Sequence, residues 1–133
     1  MKRSIEDVSK FLRARGCPEF VIEGGLEGLL ASWERFAAGL ALGYTLGLEE
    51  YLNDLDTRQI LADLLLNVPA AAFVAMHRVA AADELVRTST RPHAVCLWGA
   101  DNAQRHGYTA DHNWWYFAVP VQGNPGLLAK IPR

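Results

Sequence analysis

Between Leu26 and Leu40 the residues Leu26, Leu29, Leu30, Trp33, Phe36, Ala37 and Leu40 recur at intervals of three and four. At about 100° per residue that spacing gathers them on one face of an α-helix. Glu27, Glu34 and Arg35 fall elsewhere on the wheel. An amphipathic helix with such a bulky stripe belongs against a core, and the segments around it read as further helices.

Upstream, Ser4 followed by Asp7 marks a helix start, an acidic variant of the capping box. Ile5, Val8, Phe11 and Leu12 then share a face, and Gly16 ends the helix. Cys17-Pro18 opens a short second helix, with proline where its missing N–H costs nothing, and Gly24-Gly25 closes it. Downstream, Leu48, Tyr51, Leu52 and Leu55 define one stripe, whereas Ile60, Leu61, Leu64, Leu65 and Val68 define another on nearly the opposite side. A single straight helix would have to be buried on both sides. The expectation is therefore a break between Asn53 and Thr57, with Asp56 capping the second piece and Gln59 reaching back to its start. Pro69 begins the next helix, which runs to about Leu85 and turns Phe73, Met76, His77 and Ala80 inward, His77 as a hydrogen-bonded core histidine.

The rhythm changes after Leu85. Val86–Thr90 and His93–Trp98 are β-branched or alternate by twos around a Thr-Arg-Pro turn, and Asn113–Val121 is a third extended run. The polar stretch from Gly99 to His112 reads as a long loop, a length that is uncommon without a function. The expected fold is α+β and helix-dominant. About five helices over 4–85 precede a small antiparallel sheet of two to three strands within 86–121, and 122–133 is a tail. With 133 residues the chain is one domain, 1–133.

Charge excludes some classes of function. A net charge of −2 gives no general attraction to phosphate backbones, so no nucleic-acid partner is expected. The longest apolar run, Ala37 to Leu48, is about a dozen residues against the roughly 20 a membrane span needs. The amino terminus has a basic start with no apolar segment behind it, so it does not read as a secretory signal, and no membrane partner is expected. Cys17 and Cys96 lie far apart and form no CxxC pair, which fits reduced thiols in the cytoplasm.

The candidate chemistry lies near the carboxyl terminus. On an extended strand Trp114 and Tyr116 face one way, and Trp115 and Phe117 the other. Either the strand is buried on both faces, or one pair packs onto the helices and the opposite pair, with Trp98, lines a groove or a self-association surface. Asp101, His106, Asp111 and His112 flank it on the loop, with His93 and Cys96 nearby. Two imidazoles and two carboxylates have the right atoms for Zn²⁺. Their H-x₅-H spacing in a flexible segment matches no metal pattern, so neither a metal nor a cofactor is expected. Among Glu49, Glu50, Asp54 and Asp56, the second and third are i,i+4, but the apolar stripe claims the inner face and leaves the acids to water. Cys17 at a helix start could have a lowered pKa, though no histidine is near it in sequence. Gly24 to Gly28 has neither the preceding strand nor the lysine of a phosphate loop.

These features favour a small cytoplasmic binding or interaction protein without catalytic activity, whose partner is another protein or a second copy of itself. The sequence identifies no small-molecule ligand. The alternative is a small enzyme using loop 100–112 for acid–base or metal-assisted chemistry. Convergence of Asp101, His106, Asp111 and His112 around one pocket would favour that alternative.

Overall fold

The computed structural model describes residues 2–133, with side-chain surroundings from residue 4 onward. Four helices build the bulk of the chain: α1 (Lys2–Arg15), α2 (Glu19–Leu42), α3 (Leu48–Asn67) and α4 (Pro69–Thr88). A short strand β1 (Thr90–Pro92), helix α5 (Ala100–His106), a 3₁₀ turn (Trp114–Phe117), strand β2 (Ala118–Pro120) and helix α6 (Pro125–Ala129) follow. The architecture is the expected one, helices first and then a small antiparallel sheet.

Helix α1 begins before Ser4, so Ser4 and Asp7 lie inside it rather than at its cap. It ends at Gly16, whose φ of +85° is a conformation glycine adopts freely. Pro18 is the cap residue of α2, one place before its first turn. The expected short and long helices are two limbs of α2, joined at Gly25, where φ 59° and ψ −153° interrupt the ladder. The long limb buries Leu29, Leu30, Trp33, Phe36, Ala37 and Leu40 as its spacing requires.

Helix α3 corrects the expected break at Asp56, because it is continuous from Leu48 to Asn67. The condition attached to a straight helix is met instead. Tyr51, Leu52 and Leu55 are buried, and so are Leu61 and Leu64 from the opposed stripe. Helices α1, α2 and α4, the 3₁₀ turn and α6 all touch α3. With neighbours all round, a helix has no need for a single apolar face.

Helix α4 turns the other way from expectation. Ala71, Ala75, Val79, Ala82 and Val86 face the core, while Phe73, Met76, His77 and Ala80 are exposed. Small residues let α4 approach α2, whose own face already supplies Trp33 and Phe36. The helix also continues to Thr88, through residues expected to be extended. Val86 is fully buried there, and Thr88 and Thr90 hydroxyls donate back to the carbonyls of Leu85 and Val86.

The strands are correspondingly short. Thr90, Arg91 and Pro92, the expected turn, are β1, and they pair antiparallel with Pro120, Val119 and Ala118 of β2. His93 to Trp98 forms no strand. The Tyr51 hydroxyl donates to the Ala118 carbonyl at 2.6 Å and fastens β2 to α3. The tail is tied as well. Tyr44 exchanges backbone hydrogen bonds with Gln122 and Asn124, Asn124 caps α6, and Leu127 is buried.

Candidate functional site

Trp114–Phe117 is a 3₁₀ turn and not the expected strand. Three residues per turn point successive side chains in three directions instead of two, so the expected pairing of rings does not occur. Tyr116 points to α3 and is buried, whereas Trp115 is buried against Arg58, whose guanidinium lies 4.4 Å from the ring centre. Trp114 is half-buried beneath Arg87, at 3.9 Å. Among the described residues, buried Trp115 Nε1 has no hydrogen-bond partner. The rings are mostly core, and the groove expected along one face of a strand is absent among the described residues.

What the turn builds is a cleft over Asp56. The Tyr116 hydroxyl donates to Asp56 Oδ1 at 2.6 Å, and Trp98 Nε1 donates to the same oxygen at 3.0 Å. Among the described residues nothing donates to Asp56 Oδ2. Tyr108 stacks on Tyr116 with ring centres 4.6 Å apart, and His106 stacks on Tyr108 at 5.2 Å. Two hollows share Asp56 and Tyr108. One, of about 300 Å³, continues to Arg15, Cys17 and Ile60. The other, of about 270 Å³, is bounded by Trp98, Asn102 and His106.

Of the residues expected to form a site, Trp98, His106 and Tyr116 meet here. Asp101, Asp111 and His112 do not. All three are exposed, and His112 Nδ1 lies 3.2 Å from the Thr109 hydroxyl. Trp114 belongs to the packing under Arg87. The acid–base alternative therefore lacks the convergence it required. His106 sits on α5, a helix within the expected loop that ends at Gly107 with φ +72°. Asp56, expected as a helix cap and a solvated acid, completes the site together with Tyr108 and Asn102, which no sequence pattern marks.

Burial, and then the bond to Asp56, pushes the Tyr116 phenol far above its ordinary range. Burial also raises Tyr108. Cys17 is raised by burial, with Arg15 opposing, so its position near a helix start does not activate it. Arg15 itself is paired with Asp63.

Asp54, Arg58 and Gln59 of α3 act as ties. Asp54 accepts from Tyr44 at 2.8 Å beside a third hollow of about 350 Å³ lined by Arg35 and Thr57. Arg58 pairs with Asp83 through two bonds of 2.9 Å, and Asp83 also accepts from Trp33 Nε1. Gln59 donates to Asp63 and accepts from Asn113. Of the acidic cluster, only Glu49 and Glu50 are left to water.

No helix among the described residues is long and apolar enough to cross a membrane. No family model matches the chain, and no curated protein or solved structure is detectably similar to it.

Proposed function

We propose that this chain is a small, non-catalytic interaction protein of the cytoplasm, and that it associates with a second copy of itself through the outward face of α4. One observation carries the reading. Phe73, Met76, His77 and Ala80 have the spacing of a core stripe, yet all are exposed, Phe73 by 83%. Val74 beside them and Leu66 just before the α3–α4 junction are exposed too. Clustered large apolar side chains in water are uncommon unless something covers them.

The stripe is complementary to itself in size. Two α4 helices crossing antiparallel about a twofold axis between Met76 and His77 would set Phe73 against Ala80 and Met76 against His77. A large residue then meets a small one at each end, as an isologous contact requires. Cys17 and Cys96 are both free thiols, in keeping with a reducing compartment.

Light scattering coupled to size exclusion, over a range of concentrations, tests the reading. A dimer is expected, and Phe73→Ser and Met76→Glu should each give monomers that unfold at the wild-type temperature when dilute. A wild-type chain that stays monomeric at high concentration would discard self-association. Dimers that persist in both variants would move the contact away from α4.

A further inference from the structure

The smaller hollow over Asp56 sets a carboxylate beside the ring faces of Trp98, His106 and Tyr108. Two of its donors are committed inward, while the Tyr108 hydroxyl and the His106 ring nitrogens also line it. The Trp98 N–H and Tyr116 O–H both go to Asp56 Oδ1, and the Asn102 amide donates to the Trp98 carbonyl at 2.8 Å. Its acceptors are not committed. Asp56 Oδ2 and Asn102 Oδ1 receive no bond among the described residues. Trp98 and Tyr108 are half-buried and the His106 ring is exposed at the mouth of the hollow, so ring faces stand beside the carboxylate. Arg15, the cation bordering the neighbouring hollow, is already paired with Asp63.

A site of this kind is complementary to a ligand that donates several hydrogen bonds and carries positive charge. We propose that the hollow bounded by Asp56, Trp98, Asn102, His106 and Tyr108 binds an organic cation, a protonated primary amine or a guanidinium group. Asp56 Oδ2 takes the charge, Asn102 Oδ1 accepts a second N–H, and the ring faces pack against the cation. Tyr116 and Trp98 act as positioning residues, because both donate to Oδ1 and fix the carboxylate. The proposal is independent of the α4 surface, since neither shares a residue with the other.

The test follows the indole N–H signal of Trp98 by nuclear magnetic resonance, assigned through its loss in Trp98→Phe. The full chain is titrated with methylguanidinium, methylammonium and urea, the last a neutral molecule of guanidinium shape. Saturable shifts are expected with the cations and none with urea. Asp56→Asn keeps an acceptor for Trp98 and Tyr116 while removing the charge, and should weaken cation binding at least tenfold without changing the unfolding midpoint by more than a few degrees. Urea acting as strongly as methylguanidinium, or cation affinity unchanged in Asp56→Asn, would overturn the proposal, as would no shift up to tens of millimolar. A parallel titration with acetyl-arginine amide separates the sources of the cation. Tighter binding than methylguanidinium points to an arginine side chain of a peptide, and weaker binding to a free small molecule.

Discussion

Helices α3 and α4 are each 20 residues long and each carries two apolar stripes, yet the fold treats them differently. Helix α3 buries both stripes, and its polar residues reach other elements. Asp54 meets Tyr44, Asp56 meets Trp98 and Tyr116, and Arg58 meets Asp83. Helix α4 buries the stripe of small residues and leaves the larger one in water. Periodicity shows that a stripe exists but not which one the core selects. The selection follows from volume. Where α2 already fills the interface with Trp33 and Phe36, alanine fits and phenylalanine does not.

The largest expected effect tests whether α3 depends on its polar ties. Arg58 and Asp83 keep only 12% and 16% of their side-chain surface exposed. Removing one partner, as in Arg58→Met, leaves Asp83 buried without its cation and should cost about 3–5 kcal/mol in chemical denaturation. Replacing both, Arg58→Met with Asp83→Leu, should recover much of that loss, although Trp33 Nε1 then lacks its acceptor. Additive losses in the double variant would show that the two residues act separately and that α3 is held by packing alone.

A smaller effect probes the chosen stripe of α4. Ala75 is fully buried, and Ala75→Leu forces a larger side chain into the interface, at about 1–3 kcal/mol. An unchanged unfolding midpoint would mean that α4 has room beneath it. The preference for its small stripe would then need a different cause.

Much of the fold was legible because its signals are local. The α2 stripe, the glycine stop of α1 and the Gly24-Gly25 interruption each depend on residues within a few turns. The failures concern information that lies across the fold. Asp56 resembled a cap because a cap is the local use of an aspartate between two stripes. Its partners, Trp98 and Tyr116, are distant in sequence. WWYF resembled a strand because aromatic residues favour strands, but four consecutive rings with different partners are placed better by a 3₁₀ turn. The site was legible only in part for the same reason. Trp98, His106 and Tyr116 stood out as residue types, whereas Asp56 and Tyr108 matter through contacts that no spacing announces.

Acid sensitivity should separate Asp54 of α3 from the Glu34–Arg78 pair between α2 and α4 by sign. Burial raises the Asp54 carboxyl, with the Tyr44 bond opposing. The folded state then holds that proton more tightly than the unfolded chain, where aspartate titrates near about 3.9. Its contribution to stability is therefore greatest below that value and declines as pH rises toward the folded value. Glu34 is the reverse, because hydrogen bonding from Arg78 of α4 lowers it. Its contribution is present above the glutamate value of about 4.3 and is lost as pH falls through the folded value. Asp54→Asn should accordingly make acid unfolding steeper, and Glu34→Gln should make it shallower. Unfolding midpoints between pH 3 and 7 measure both, and equal slopes in the two variants would contradict the assignment.

The smallest effect on stability is expected at Phe73, and its size depends on protein concentration. In a dilute monomer the ring is 83% exposed, so Phe73→Ala removes little buried surface. Alanine is also the better helix former, by a few tenths of a kcal/mol. The variant should therefore unfold within about 0.5 kcal/mol of the wild type, on the stable side. At concentrations where two α4 faces meet, association adds stability to the wild type only, because binding to the folded state shifts unfolding by mass action. The wild-type midpoint should then rise with concentration while that of Phe73→Ala stays level, and the curves should cross. A large loss of stability in dilute Phe73→Ala would mean that the ring is held within the monomer. The contrast between the two helices would then disappear.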